Sequence, residues 1–197
     1  MPPAEFFPPD FSHIRIILVE PQNPGNIGAV TRAMDNFGFY RLGLVNPCDY
    51  KTPQAYWLSR HAEDILNSAD IYDSLQEALK DVHLAVGTTS IIRSTHYPSY
   101  TPREIAARCR EIMPSQKIAL VFGRESDGLS NDELHQCHIL STIPVHPGNM
   151  SLNLAQAVLV YLYEIYNAQL EINPHFEWRL ADPREIESVY QLSLIHI

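Results

Sequence analysis

The chain has few cysteines and no long hydrophobic run. Cys48, Cys109 and Cys137 are odd in number and form no paired motif, which argues against a disulfide framework and against a zinc ribbon. No apolar stretch approaches the roughly 20 residues that a membrane span needs, and the N-terminus lacks the basic and apolar regions of a signal peptide. We therefore expect a cytoplasmic protein with no membrane partner.

Several common catalytic patterns are also missing. The sequence has no G-x-G-x-x-G, no G-x-x-x-x-G-K-[ST] and no H-E-x-x-H, so dinucleotide binding, P-loop phosphoryl transfer and zinc proteolysis lose support. Ser151 lacks the G-x-S-x-G elbow of a serine hydrolase. His135 and His138 have the spacing of metal ligands, but no second ligand pair accompanies them, so we assign them a structural role and expect no metal.

The charge is unusual for a nucleic-acid-binding protein, because the net charge is −9. Twelve of the fourteen lysines and arginines nevertheless lie at or before Arg124, so the acidic excess is partly a property of the C-terminal third. A phosphate backbone meets the local charge rather than the total charge. An RNA partner is therefore compatible with the composition.

Short aliphatic runs alternate with segments of helical periodicity along the 197 residues, a length that suits one domain. The predicted strands are residues 14–19, 42–45, 83–87, 118–122 and 139–143. The predicted helices are residues 26–37, 53–66, 74–80, 102–112, 131–136 and 151–167. This alternation predicts an α/β fold with a parallel sheet covered by helices on both faces.

Helix starts and faces can be predicted from capping residues and apolar spacing. Asn26, Asn131 and Ser151 are the expected N-caps, because their side chains can accept from the first free N–H groups of a helix. The apolar residues of the last helix that fall on one face are Leu152, Ala155, Leu159 and Leu162. We expect that face to be buried.

Polar loops follow four of the predicted strands, at residues 20–26, 88–93, 123–128 and 146–151. Ligands of open α/β sheets bind beyond the carboxyl ends of the strands, so these loops should converge on one site. Taken singly, each loop can be an ordinary turn or helix cap. Gly123 would let a ligand approach the backbone, and the small neighbours of Arg32, among them Ala29 and Ala33, suggest close approach by a second subunit.

Four motifs occur in order between residues 13 and 167. They are Asn26-Ile-Gly-Ala-Val-Thr-Arg-Ala-Met34, Gly87-Thr-Thr-Ser90, Leu120-Val-Phe-Gly-Arg-Glu-Ser-Asp-Gly-Leu129 followed by Asn131-x-Glu-Leu134, and Ser151-Leu-Asn-Leu-Ala155. In sequence and spacing they resemble the TrmH/SpoU branch of the SPOUT RNA methyltransferases, and within it the TrmJ-like tRNA 2′-O-methyltransferases.

The resemblance implies a fold and a domain organisation. Residues 13–168 would form an α/β, parallel-sheet SPOUT (alpha/beta knot) domain with a deep C-terminal trefoil knot, an exception to the rule that chains are unknotted. Residues 1–12 would be a disordered, proline-rich arm, and residues 169–197 the start of a C-terminal helical extension that is cut short. The resemblance also implies a homodimer with each active site at the subunit interface.

The resemblance further implies S-adenosylmethionine as the cofactor and assigns site residues by position. The residues expected around the methyl donor are Thr88, Thr89, Ser90, Gly123, Ile143, Met150, Ser151 and Leu152. The residues that match the family's catalytic positions are Asn26, Arg32, Glu125, Ser151 and Asn153. Arg32 and Arg93 are the expected RNA-binding arginines.

The expected reaction is transfer of a methyl group to a ribose 2′-oxygen of RNA, at a cytidine or uridine of a tRNA anticodon loop. An arginine is a poor proton acceptor because its pKa lies above about 12, so we assign Arg32 to stabilising the developing alkoxide or to anchoring a phosphate. The alternatives are an rRNA 2′-O-methyltransferase, a noncatalytic RNA- or S-adenosylmethionine-binding module, and a flavodoxin-like ligand-binding domain.

Overall fold

Seven parallel strands form a single sheet in the computed structural model, which describes residues 9–90, 99–112, 116–148 and 151–170. The strands are β1 (Ile14–Val19), β2 (Arg41–Val45), β3 (Asp70–Tyr72), β4 (Leu84–Thr88), β5 (Ser99–Tyr100), β6 (Ile118–Phe122) and β7 (Ile139–Ser141). Their order across the sheet is β3-β2-β1-β6-β4-β7-β5. The predicted α/β fold with a parallel sheet is confirmed, whereas the trefoil knot stays a prediction.

Helices connect these strands in an alternating order. They are α1 (Pro24–Asn36), α2 (Pro53–Ser59), α3 (Glu63–Asn67), α4 (Leu75–Ala78), α5 (Pro102–Ile112), α6 (Asn131–His135) and α7 (Leu154–Gln169). The single helix expected at residues 53–66 is therefore wrong. It breaks into α2 and α3 at Arg60, whose φ of 57° is incompatible with a continuing helix.

The central strands are buried on both faces, as expected for a parallel sheet between helices. Every residue of β1 is buried, and β1 pairs with β2 on one side and β6 on the other. Its side chains alternate between two cores: Ile16 and Leu18 enter one, while Ile17 and Val19 enter the other. The period of two along β1 therefore places apolar side chains on both faces of the sheet.

Two strands were not predicted, and both are short edge strands. β3 has three residues, two of them exposed, and β5 has two residues. Neither segment is long enough to show an apolar pattern of its own. Each becomes a strand because it pairs with a preformed neighbour, β3 with β2 and β5 with β7.

The three predicted N-caps are wrong, by one to three residues in each case. Asn23 caps α1 in place of Asn26, with Pro24 in the first turn, and Ser130 caps α6 in place of Asn131. Asn153 caps α7 in place of Ser151. In each helix the true cap is the residue whose side-chain oxygen reaches the N–H groups of the first turn, which depends on where the chain enters the helix.

The buried face of α7 agrees with the prediction only in part: Leu162 is buried and Ala155 packs against the core, as expected. Leu154, Val158 and Tyr161 are buried, whereas Leu152 is 39% exposed and Leu159 is 40% exposed. Periodicity identifies an apolar face but not the direction in which it points, and α7 carries apolar residues on more than one face. One apolar face of this helix is thus left uncovered by the described part of the chain.

The ends of the described chain bear on the expected boundaries. Phe11, which sequence places in the N-terminal arm, is buried and stacks on Phe39 with ring centroids 4.1 Å apart. Residues 1–8 lie outside the described residues, as do residues 171–197 of the expected C-terminal extension. Among the described helices, none has the length and apolarity needed to cross a membrane.

Gly28 sets the distance between α1 and α2, which generates a stability prediction. A Cβ at Gly28 would lie 2.1 Å from the carbonyl oxygen of Ala55 on α2. We expect Gly28→Ala to lower the free energy of unfolding by about 1–3 kcal/mol, because the two helix backbones must separate. Urea denaturation measures the loss. The control is Asn36→Ala, an exposed change on the same helix that should stay within about 0.5 kcal/mol of wild type; equal values for the two variants would contradict the prediction.

Candidate functional site

A chain of hydrogen bonds joins three segments that are far apart in sequence. The Asn153 side-chain Nδ2 donates to Oδ1 of Asn26 at 2.9 Å, and Nδ2 of Asn26 donates to Oε1 of Glu125 at 2.9 Å. These contacts connect the start of α7, the start of α1 and the loop after β6. The structure therefore brings together three of the residues that resemblance assigns to the catalytic site.

Glu125 is the acceptor on which this chain of hydrogen bonds ends. Its carboxylate also accepts from the backbone N–H groups of Gln22 at 2.8 Å and Asn23 at 3.2 Å. Burial acts to raise the pKa of Glu125, but the hydrogen bonds from Asn26, Gln22 and Asn23 outweigh it and lower the pKa below its ordinary value. A carboxylate held in its charged form by several donors is a weak proton acceptor, so its geometry suits positioning better than general-base catalysis.

Arg124 holds the same sheet edge together from the other side. Its Nε donates to Glu20 at 2.8 Å, and its Nη2 and Nη1 donate to the two carboxylate oxygens of Glu133 at 2.9 and 3.0 Å. The hydrogen bonds to Glu133 and Glu20 raise the pKa of Arg124 further above its ordinary value. Because Glu133 also completes the capping box of α6 with Ser130, this arginine links the ends of β1 and β6 to α6.

Gly123 is required by the chain's own backbone. A Cβ at this position would lie 2.1 Å from the carbonyl carbon of Gly128 and 2.2 Å from the nitrogen of Leu129. The sequence-based expectation was that a ligand would approach Gly123, but the loop returning through Gly128 occupies the space next to its Cα. Gly128 makes that return with a φ of 71°, which glycine adopts without strain.

A cavity of about 320 Å³ opens beside this loop, at the carboxyl edge of the sheet. Seven of the eight residues that resemblance places around a methyl donor line it: Thr88, Thr89, Ser90, Gly123, Ile143, Ser151 and Leu152. The eighth, Met150, lies outside the described residues. Glu125 also lines the cavity, so the hydrogen-bonded chain and the cavity share a wall.

Several lining residues were not predicted. They include Phe122, Asp127, Leu129, Val145, Leu154, Ala157 and Tyr161. Leu154, Ala157 and Tyr161 recur at helical spacing on α7, so the sequence spacing could have predicted that they share one face of the helix. Tyr161 is buried, and its hydroxyl donates to Oγ of Ser141 at 2.8 Å. Burial raises the pKa of this tyrosine to about 12, which keeps the phenol neutral in the cavity wall.

Other predicted residues have different surroundings. Thr88 lines the cavity, but its hydroxyl donates to the backbone carbonyl of Val121 at 2.9 Å. Arg32 is exposed on α1, does not line the cavity, and has no hydrogen-bond or ion-pair partner among the described residues. Arg93 lies outside the described residues. The structure therefore separates Arg32 from the other predicted catalytic residues of its own chain.

His138, one of the two histidines with metal-ligand spacing, makes a structural contact. Nδ1 of His138 accepts from the backbone N–H of Ala85 at 2.9 Å, which ties the start of β7 to β4. Within residues 9–90, 99–112, 116–148 and 151–170, no group of three or more His, Cys, Asp or Glu residues could hold a metal ion. All three cysteines are free.

Comparison with known proteins gives matches over most of the chain. Residues 13–163 match the SpoU rRNA Methylase family. The tRNA (cytidine/uridine-2′-O-)-methyltransferase TrmJ of Pectobacterium atrosepticum is 41% identical over 180 residues, which are 91% of this chain and 73% of that protein. The TrmJ of Yersinia pestis is 44% identical over 159 residues, or 81% of this chain. The chain spans 62% of that second relative, which is less than two thirds of its length.

Solved structures give the same relationship. TrmJ from Z. mobilis has a TM-score of 0.74 and 34% identity, and the match covers 91% of this chain and 77% of that one. The SpoU methyltransferase AviRb from Streptomyces viridochromogenes, solved in complex with AdoMet, has a TM-score of 0.62 and 25% identity. That match covers 83% of this chain and 61% of that one.

The role of Glu125 as an anchor predicts a pH-dependent stability change. Because its pKa is lowered in the folded protein, Glu125 adds to the free energy of unfolding above pH about 4.3, the pKa of glutamate in the unfolded chain. This contribution is lost as the pH falls through the folded-state pKa. We expect Glu125→Gln to destabilise the protein by about 1 kcal/mol at pH 7, the low end for a charged hydrogen-bonded group because solvent reaches this carboxylate. Denaturant unfolding at several pH values should show the difference from wild type shrinking below about pH 4.

The matched control is Glu111→Gln, which alters an exposed carboxylate on α5. That variant should follow the wild-type stability curve across the same pH range. A Glu125→Gln deficit that is absent at pH 7, or that grows towards acid, would show that Glu125 does not anchor the site.

Proposed function

The chain belongs to the SpoU rRNA Methylase family, and we propose that it methylates the ribose 2′-oxygen of a cytidine or uridine in the anticodon loop of tRNA, with S-adenosylmethionine as donor. The observation that carries this proposal is the cavity at the carboxyl edge of the sheet, which shares a wall with the Asn153, Asn26 and Glu125 chain. TrmJ relatives at 41–44% identity support the reaction and the substrate. A cytoplasmic location follows from a tRNA substrate and agrees with the free cysteines.

The cavity suits the proposed donor in size and in chemistry. Its volume of about 320 Å³ is within the range of about 300–1,000 Å³ that small-molecule sites occupy. Ile143, Leu129 and Tyr161 offer apolar walls to a nucleoside. Among the charged lining residues, the carboxylates of Glu125 and Asp127 outnumber the guanidinium of Arg124 and favour a cationic ligand. The residues present therefore fit S-adenosylmethionine, which supplies an activated methyl group when bound.

The protein's contribution to the reaction is mainly positioning. The methyl group of the donor is bound to a good leaving group, so its transfer requires alignment of donor and acceptor more than activation of the donor. The Asn153, Asn26 and Glu125 chain keeps the start of α1 against the cavity wall, so that the acceptor ribose can be held at a fixed place. Arg32 then either stabilises the ribose oxygen, which takes up the methyl group as its proton passes to solvent, or anchors a neighbouring phosphate.

A second copy of the chain would complete this site. Leu159 and Tyr163 lie along the uncovered side of α7, with Leu159 at 40% and Tyr163 at 52% exposure. α7 packs beside α1, where the Phe37 and Tyr163 rings meet edge to face at 6.3 Å. An apolar surface shared by two helices is suited to a homodimer contact. Such a contact would bury the face beside Arg32 and direct that arginine towards the cavity of the other subunit.

Labelled donor and total tRNA test the reaction. We expect methyl incorporation by the wild-type protein at 2′-oxygens of anticodon-loop pyrimidines, mapped by resistance to alkaline cleavage. Arg32→Ala should reduce turnover by at least about 100-fold, because a charge stabilising the transition state is lost. Its calorimetric affinity for S-adenosylmethionine should match wild type, since Arg32 does not line the cavity of its own chain and is assigned to the acceptor ribose or its phosphate in the other subunit's site.

Labelling of rRNA instead of tRNA would replace the substrate in this proposal. Donor binding without labelling of any RNA would indicate a noncatalytic module. Unchanged turnover in Arg32→Ala would remove Arg32 from the mechanism while leaving the reaction itself standing.

The dimer makes a separate prediction. The double variant Leu159→Glu with Tyr163→Glu should be monomeric in sedimentation, because two charges enter an apolar contact. Ile71→Glu is the matched control, since Ile71 is 53% exposed on the edge strand β3 and should leave the dimer intact. A wild-type protein that sediments as a monomer would overturn the proposed assembly.

Mixing two inactive variants would show whether the site is shared. Arg32→Ala keeps its cavity, whereas Gly123→Ala keeps Arg32 but displaces the loop that lines the cavity. After subunit exchange, about a quarter of wild-type activity should return if Arg32 acts across the interface, because half of the dimers then hold one complete site. No recovery, with exchange confirmed, would place Arg32 and the cavity it serves in the same subunit.

A further inference from the structure

An aromatic side chain on α2 has no role in the fold or in the site described above. Trp57 is 70% exposed, more than any other large hydrophobic side chain in the described part of the protein. It lies two residues after Ala55, which is buried against α1, so the indole points away from the core. An exposed tryptophan forgoes the stabilisation that burial of its ring would bring, so a ligand for it should be considered.

The helix that carries Trp57 is held firmly despite its length of seven residues. Thr52 caps α2 and Pro53 occupies its first turn. Ala55 contacts Gly28 of α1, and the hydroxyl of Tyr56 donates to Oδ1 of Asn67 on α3 at 2.8 Å. The indole is therefore presented from a fixed element, which reduces the entropy lost when a partner binds to it.

Two exposed cations lie near Trp57 in the sequence. Residues 50–62 contain Lys51 and Arg60 and no aspartate or glutamate, although Asp49 precedes this segment and Glu63 and Asp64 follow it. Lys51 and Arg60 are exposed, and the guanidinium of Arg60 has no hydrogen-bond or ion-pair partner among the described residues. The ammonium of Lys51 lies over the ring of Tyr50, 5.8 Å from its centroid. Exposed aromatic rings together with exposed cations are the combination that single-stranded nucleic acids bind.

The backbone at Arg60 supports a functional reading. Its φ is 57° and its ψ is −108°, a conformation that a residue with a Cβ adopts only at a cost. Glycine would occupy this turn without strain. An arginine at a position that favours glycine is a strained residue, and such strain motivates the hypothesis that its side chain has a use.

The position of α2 places this surface beside the proposed acceptor site. Nε2 of Gln54, one helical turn before Trp57, lies 2.8 Å from where a Cβ of Gly25 would be. Gly25 directly precedes Asn26, which takes part in the hydrogen-bonded chain to Glu125. RNA held at this edge of the sheet would therefore pass close to α2.

We propose that the indole of Trp57 stacks on an unpaired base of the RNA substrate next to the methylated nucleotide, while Arg60 and Lys51 contact the adjacent phosphates. This inference rests on the proposed function, because it assumes an RNA at the carboxyl edge of the sheet. It adds a requirement for an unpaired neighbouring base, since a base inside a duplex cannot stack on a protein ring.

Tryptophan fluorescence tests the stacking without any methyl transfer. The chain has two tryptophans, Trp57 and Trp178, so Trp178→Phe leaves Trp57 as the only indole. An RNA hairpin with an unpaired pyrimidine loop should quench this emission, and a fully paired RNA duplex of equal length should quench it much less. Equal quenching by the two RNAs, or none by either, would overturn the proposal.

Kinetics on otherwise native protein supply the second test. Trp57→Ala should raise KM for tRNA by about tenfold, with kcat at saturating tRNA and the affinity for S-adenosylmethionine unchanged. Trp57→Phe should recover most of the loss, because a ring is retained. Tyr40→Ala removes another exposed aromatic ring, at 61% exposure, and should leave KM unchanged. Arg60→Gly should weaken tRNA binding and reduce its salt dependence, without harming the turn that glycine favours.

The outcomes separate this inference from the proposed function. Hairpin-specific quenching by a protein that methylates no RNA would support the stacking surface and reject the reaction. Methylation of tRNA with the same KM in Trp57→Ala and wild type would reject the stacking surface alone. Loss of the dimer in Trp57→Ala would identify a contact between subunits in place of an RNA contact and would also overturn the proposal.

Discussion

The Asn153, Asn26 and Glu125 hydrogen bonds are the constraint on which the rest of the site depends. They connect segments separated by 127 and 99 residues, and every group in the chain is used: each asparagine amide both donates and accepts, and the carboxylate accepts from two backbone N–H groups as well. The Asn26–Glu125 hydrogen bond is partly buried, and the bonds to Asn153, Gln22 and Asn23 are exposed, but together they join three loops. Changing one member would therefore disturb three loops at once.

These hydrogen bonds indicate different roles for residues that the family resemblance groups together as catalytic. Asn26, Glu125 and Asn153 hold one another, and Asn153 also caps α7, so their contacts suit the positioning role that we propose. Arg32 differs, because it is exposed and has no partner in the described part of its own chain. A residue kept free of local contacts is suited to meet something from outside, either RNA or a second subunit. The uncovered apolar face of α7 and the exposed indole of Trp57 are further places where the fold leaves groups for partners to contact.

The order of the strands explains why the site lies where it does. β6 is inserted between β1 and β4, and β7 between β4 and β5, although both follow those strands in the chain. The loops after β4 and β6 thereby become neighbours, with the start of α1 beside them. Arg124 reinforces this edge by joining Glu20 after β1 to Glu133 on α6, and Gly123 allows the loop to return against its own strand.

The sequence alone was sufficient for the strands and helices with strong local patterns. Ile14–Val19, Ile118–Phe122 and Pro102–Ile112 were predicted with the observed bounds, because an aliphatic run or a proline-started periodic segment carries its own signal. The family and the residues around the cavity also followed from motifs in order. Tertiary structure decided what depends on distant partners: β3 and β5 exist through pairing with their neighbours, Asn153 rather than Ser151 caps α7, and Leu152 and Leu159 face outward. It also decided that Gly123 makes room for backbone and that Arg124 pairs with two carboxylates, since a residue's type fixes which contacts it can make, whereas the fold determines which of them it meets.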